Sequence, residues 1–265
     1  MPLHLTNGDA VVPDIVDATG GEDVLPWRDV LHDGPIPRDL GVGPLARVRA
    51  AHLAARGWTT EAQALAELRA RDGRLAAHPP DAEIVLWFED DLYDWLQLAQ
   101  IDARLVGRPG PMWRVRLPHD RRGVDLAALP REPHEPRPEV FAALRSPDPR
   151  AWLAHRELAR LVEELPEATT GLGRLERQIV DALRDGPLDR RDLFVAVAAQ
   201  EDPPWISDWP LWALADELAP IVERRGATYV VVGEPPRRPP PNRMLGGVHV
   251  ADWAFDAASG SVLAR

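Results

Sequence analysis

The chain has 265 residues, enough for one large domain or two ordinary ones, and its 45% hydrophobic and 28% charged content is that of a globular protein. It contains no cysteine and no lysine, so thiolate metal sites, thiol nucleophiles, Schiff-base and pyridoxal phosphate chemistry and a Walker-type phosphate lysine are all excluded. A formal net charge of −11 argues against nonspecific nucleic-acid binding, and the lack of a bilayer-length apolar run or a basic-then-apolar leader sets the expectation of a cytoplasmic protein of bacterial, arginine-biased type.

In chain order, Leu3-His4-Leu5-Thr6 alternates and runs into Asn7-Gly8-Asp9, the pattern of a strand meeting a tight turn. Pro13 then suits the first turn of a short helix that stops at Gly20-Gly21. Val24-Leu25-Pro26-Trp27 reads as a second strand, followed by Arg28-Asp29-Val30-Leu31-His32-Asp33-Gly34-Pro35. Two helices are expected from Pro44 to Arg56 and from Thr60 to Leu75, joined through Gly57. Ile84-Val85-Leu86-Trp87-Phe88 is continuously apolar, as a central strand covered on both faces would be, and Glu89-Asp90-Asp91 ends it at the start of another helix. Trp113 to Leu117 alternates as a fourth strand. Strands alternating with helices predict a mostly parallel sheet, hence a Rossmann-like α/β domain over residues 1–118.

The stretch 119–138 is proline-rich and is expected to be a stiff linker. Residues 139–265 are read as a mainly helical domain, with a helix through Phe141, Leu144, Trp152, Leu158 and Leu161. Three further helices are marked by Leu175–Leu183, Leu193–Val197 and Trp209–Leu218, before a strand at Thr228–Val232 and a hairpin beginning near Gly246. That order is winged-helix-like. Charge argues against DNA binding: between Gly171 and Arg225 eleven acids stand against seven arginines, and the third helix carries Asp208, Asp216 and Glu217 with no arginine. A protein partner or a homodimer fits that module better than nucleic acid.

Three polar motifs fall just after predicted strands, where open parallel sheets bind ligands. Asn7, Gly8, Asp29 and Asp90 are candidates for ligand contact, and Asp9, His32, Asp33 and Glu89 for catalysis. His32 would act as a base held by Asp33, and Asp9, Asp33 and Glu89 together would suit a hard divalent cation such as Mg²⁺ better than zinc. Taken singly, each motif is also ordinary turn and cap chemistry, with Asn7 left-handed, Asp9 capping a helix and one or two of Glu89–Asp91 capping the next. His4 and His249 sit in apolar strand patterns and read as packing residues. The first loop lacks the further glycines of a dinucleotide fingerprint, so no nicotinamide or flavin cofactor is expected, and no Gly-x-Ser-x-Gly elbow is present.

As an ordered string, Leu5-Thr6-Asn7-Gly8-Asp9, Trp27 to Pro35, and Trp87-Phe88-Glu89-Asp90-Asp91-Leu92-Tyr93-Asp94 with Gln97 resembles the domain of unknown function 1835 family over roughly the first 110 residues. Pro187-Leu188, Leu193-Phe194 and Leu245 to His249 are similar to the C-terminal region often joined to it. Asp90 stands where many members of that family carry histidine. The resemblance implies the fold and the motif boundaries, and no reaction. The expectation is a site for a small polar, phosphorylated or unphosphorylated molecule, serving hydrolysis or group transfer; the alternative is a non-enzymatic regulator with a ligand-sensing α/β half.

Overall fold

The computed structural model describes residues 1–236 and 238–265. Its first half is a mixed α/β layer. The chain runs β1 (Leu3–Asn7), α1 (Val12–Thr19), β2 (Asp23–Trp27), the short β3 (Gly34–Pro35), α2 (Val42–Ala55), α3 (Glu61–Ala77), β4 (Ile84–Phe88), α4 (Leu92–Leu105), β5 (Met112–Arg116) and β6 (Glu132–Pro133). The main sheet has the order β2-β1-β4-β5-β6, parallel except for its last strand. β4 lies near the centre and all five of its residues are buried, as its unbroken apolar run requires.

The connections put helices on both faces. β1 to β2 steps one way and β2 to β4 steps back across β1, and right-handed crossovers then place α1 opposite α3 and α4. The two resulting cores are distinct. Leu5, Trp27, Leu86 and Phe88 pack with Leu75 of α3 and Leu98 and Ile101 of α4. On the other face Val24, Val85 and Val115 pack with Ile15 of α1 and with Leu126. That last contact corrects the expected linker: the proline-rich stretch folds back on the sheet, burying Leu126 in a short 3₁₀ turn and adding β6 to the edge of β5. Its prolines fit because an edge strand need not donate on its outer side.

The second half contains α5 (Pro138–Leu144), α6 (Arg156–Val162), α7 (Arg174–Ala182), β7 (Leu188–Asp189), α8 (Arg190–Ala198), α9 (Asp208–Glu217), β8 (Val222–Arg225), β9 (Thr228–Val231), β10 (Met244–Gly246), β11 (Val248–His249), β12 (Trp253–Asp256) and β13 (Ser261–Ala264). The helix expected through residues 141–161 is broken into α5, a 3₁₀ turn at Pro149–Ala154 and α6, because Pro147 and Pro149 interrupt the backbone ladder. β7, β9 and β8 form an antiparallel sheet beside α7, α8 and α9, and β12 with β13 makes the final hairpin. β8 escapes the sequence pattern because its Glu223-Arg224-Arg225 is exposed and charged.

The halves share one core. Leu31, Ile36, Leu45, Leu92 and Leu96 from the first half pack in the same cluster as Leu144, Trp152, Leu175, Ile179 and Leu245 from the second. β10 also pairs in parallel with β3, Leu245 opposite Gly34. Gly34 is left-handed, and a Cβ there would lie 2.3 Å from the His52 ring, so this motif glycine has a packing reason of its own. Among the described residues no helix is long and apolar enough to cross a membrane.

Candidate functional site

Because the connections leave β1 and β4 in opposite directions, the topology points to the region beyond their carboxyl ends as the place for a ligand. Asn7, at the end of β1, reaches into it and donates through Nδ2 to Asp94 Oδ1 at 2.5 Å. Asp94 Oδ2 accepts the Glu89 backbone N–H at 2.5 Å, and Asp91 Oδ1 accepts the Asp94 N–H at 2.8 Å, capping α4. Asp91 is therefore the cap expected among the three acids. Burial pushes both Asp91 and Asp94 above the usual carboxylate range, and for Asp91 the Asp94 charge adds to it. Asp94 was not singled out from the sequence. Its signal was there: it lies three residues after a capping aspartate, in the first turn of a helix.

The other two acids of that motif are engaged by cations. Glu89 meets His119 at 2.8 Å and Arg121 at 2.5 Å, and Asp90 meets Arg114 at 2.7 Å and Arg116 at 2.6 Å. Burial pushes the Asp90 carboxyl up, but its bond to Arg116 and the Arg114 charge outweigh this and hold it below its ordinary value. Asp9 is exposed and takes two hydrogen bonds from Arg28, which lower its pKa; it does not cap α1, whose N-cap is Val11. The expected cation set of Asp9, Asp33 and Glu89 is thus not assembled. The side chains that do converge are Glu89, Asp91 and His119, with ligand atoms all within 4.8 Å of one another. Asn7 is not left-handed; Gly8 takes that role, at φ 58°.

His32 and Asp33 do not form the expected base and orienting carboxylate. Asp33 accepts from Arg56 at 2.5 Å and lies 3.3 Å from His52. Burial opposes its ionisation, but those partners hold it well below the usual carboxylate range. His32 is 8% exposed and neither ring nitrogen has a hydrogen-bond partner among the described residues. Its ring packs edge-on against Tyr93 at 5.0 Å and Trp205 at 5.1 Å, and burial, the largest cause, lowers its pKa to about 4. Adjacent residues of a turn have gone opposite ways: Asp33 outward to a guanidinium, His32 inward to two aromatic rings. Asp29 is buried as well. Arg49 donates to its Oδ1 through Nε at 3.0 Å and Nη2 at 2.8 Å, so its role is to anchor the turn. His4 is buried as expected, accepting from Trp87 and bonding Glu22, whereas His249 is exposed because β11 lies at a sheet edge.

A cleft of about 370 Å³ lies at the carboxyl ends of β1 and β2. Asn7 and Gly8 form its floor with Arg28 and Asp29, and nothing lies within 4 Å of where a Cβ on Gly8 would stand. Trp58 of the α2–α3 turn, Glu67 of α3 and Tyr93 of α4 make one side. Ser207, Trp209 and Pro210, at the start of α9, make another. His32, Asp33 and Asp9 are not among its lining residues; His32 and Asp33 face a separate void of about 30 Å³ beside Trp205 and Arg243. The participation of α9 could not be seen from the sequence, since about two hundred positions separate it from β1. Compared with protein-family profiles, curated proteins and solved structures, the chain matches none.

Proposed function

We propose that the chain binds a small polar molecule in the cleft at the carboxyl ends of β1 and β2. The observation that carries this reading is the origin of the wall: strand ends, the α2–α3 turn, α4 and α9 all contribute to one space of about 370 Å³. Cavities of roughly 300–1,000 Å³ at this edge of an α/β sheet are where such folds hold ligands. In this reading the first half is a Rossmann-like domain and the α7-β7-α8-α9-β8-β9 run is a winged-helix-like module. A relation to the domain of unknown function 1835 family belongs to the same proposal and rests on the ordered motifs alone. Hydrolysis or group transfer would draw on Asp94, which stands behind the cleft wall, bonds Asn7 and is raised enough by burial to keep a proton available there. If a divalent cation takes part, Glu89, Asp91 and His119 would hold it.

A second reading, a ligand-sensing regulator, is favoured by α9. That helix lines the cleft with its first residues and carries Glu217, which pairs with Arg56, at its other end. A protein or a second copy of the chain suits its acidic surface better than nucleic acid.

Thermal unfolding of the full chain against nucleotides, sugar phosphates, amines and divalent metals tests the cleft. A ligand at about a hundred times its dissociation constant adds about 2.7 kcal/mol. The expected result is a shift that Trp58→Ala abolishes. A shift that survives this substitution places the ligand elsewhere and removes the proposal.

A further inference from the structure

Given that the cleft is the binding site, its wall narrows the ligand's chemistry. Trp58, Tyr93 and Trp209 line it together. Trp209 is 61% exposed, the one exposed tryptophan among the described residues. Elsewhere in this chain arginine covers four of the tryptophans: Arg71 and Arg104 over Trp27, Arg160 over Trp205, Arg190 over Trp212 and Arg150 over Trp253, at 4.0–5.3 Å from the ring centroids. Arg56 covers Trp58 at 5.7 Å. The ring beside Trp209 is that of Trp212, at 5.8 Å, and among the described residues no cation lies over Trp209 or Tyr93. Trp209 and Tyr93 thus present rings to the cleft that carry no cation among the described residues, Trp209 meeting Trp212 on one side and Tyr93 meeting the edge of His32.

The charges of the wall point the same way. Arg28 is held by two hydrogen bonds to Asp9, at 2.8 and 2.5 Å. Asp29 is neutralised by buried Arg49 at 2.8 Å. Glu67 is left with the neutral amide of Gln63 as its hydrogen-bond partner, at 3.0 Å, and the Arg28 charge reaches it only at longer range. The uncompensated charge of the cleft is negative, and Arg28, the one cation on its wall among the described residues, is already held by Asp9.

We infer that the ligand is an organic cation, an ammonium or guanidinium group on a small apolar body, seated against Trp58, Tyr93 and Trp209 with Glu67 as its counter-charge. A cation over an aromatic face gains most when both are drawn out of water, and in a cleft of this size an occupant cannot be far from any wall.

Isothermal titration of the full chain decides the matter, with choline and benzyltrimethylammonium as cations, dimethylbutanol as the uncharged isostere of choline, and adenosine and adenosine monophosphate as neutral and anionic ring compounds. The expected result is that at least one cation binds, and that choline binds about tenfold or more tightly than dimethylbutanol. Trp209→Ala should weaken the cation about tenfold and Glu67→Gln several-fold, and Trp209→Phe should restore most of what Trp209→Ala loses. Both sites are exposed, so the variants should keep the parent's far-UV circular dichroism and thermal midpoint. Equal affinity for choline and dimethylbutanol, or binding of neither cation, overturns the inference. If adenosine or its monophosphate binds instead and Trp58→Ala abolishes it, the cleft remains the binding site and only the ligand class is wrong. If nothing in this panel or the thermal panel responds to Trp58→Ala, both readings fall.

Discussion

His32 carries two unpartnered ring nitrogens between Tyr93 and Trp205, and its chemistry follows from that burial. Desolvation lowers its pKa from 6.5 to about 4, helped by the Arg49 and Arg56 charges and opposed by Asp33 and Asp29. The unfolded chain therefore binds a proton between those values that the folded chain refuses, so stability falls as pH drops from about 6.5 toward about 4 and then levels off. At 1.36 kcal/mol per unit the loss is about 3 kcal/mol. Urea denaturation over a pH series should show this loss as a difference between the parent and His32→Phe, which keeps both edge contacts and has the adjoining void to grow into, because the raised Asp91 and Asp94 carboxyls act in the opposite sense over this range in both chains. An unchanged slope would mean that another group titrates. The residue was singled out from the sequence for its ability to hold a proton. What the linear motif could not tell is that the ring turns inward, because the direction of a turn side chain is set by what packs over it.

At the level of elements, α2 organises the loop between β2 and β3. Arg49, 1% exposed, donates to Asp29 and to the backbone carbonyls of Val30, Asp33 and Pro35. One guanidinium thus satisfies the acceptors of a turn that has no sheet partner of its own until β10 arrives. Arg49→Leu should cost about 3–5 kcal/mol in chemical denaturation, since it leaves Asp29 charged and buried, and the double variant with Asp29→Leu should recover part of that. A cost near that of an ordinary surface change would show the clamp to be dispensable. The extent of α2 was legible from its apolar residues and Gly57. Arg49 was not, because an arginine in a helix reads as solvent-facing until a loop is found to need its five donors.

Across the whole molecule, the shared core and the β3–β10 pairing join the two halves. Within the second half the tightest approach is at Gly247, where a Cβ would stand 2.2 Å from the Arg145 carbonyl oxygen. That atom is backbone and cannot swing aside, so Gly247→Ala should push β10 from α5 at a cost of roughly 1–3 kcal/mol. The shared core and the β3–β10 pairing predict coincident unfolding curves by tryptophan fluorescence and far-UV circular dichroism in the parent chain. Two separated transitions would show that the halves hold their own cores. Leu245-Gly246-Gly247-Val248-His249 was recognisable as a motif, but the reason for its glycines lies in α5, a hundred residues earlier.

Four strands and four helices of the first half were legible in the sequence, because burial on one face or two leaves a period that can be read locally: β4 as a continuous apolar run, α4 behind its aspartate cap, β1 running into Gly8; the two-residue β3 and β6 are too short to leave one. The sequence also determined what chemistry is missing, since the absence of lysine and cysteine needs no coordinates. Which polar residues act together was set by packing in three dimensions. Asp9, Asp33 and Glu89 were drawn to three different arginines, Asn7 joined Asp94, and Trp58 met Trp209 across a cleft. The physical reason is that a charged side chain near buried ground takes the nearest counter-charge in space, and distance along the chain carries almost no information about which one that is.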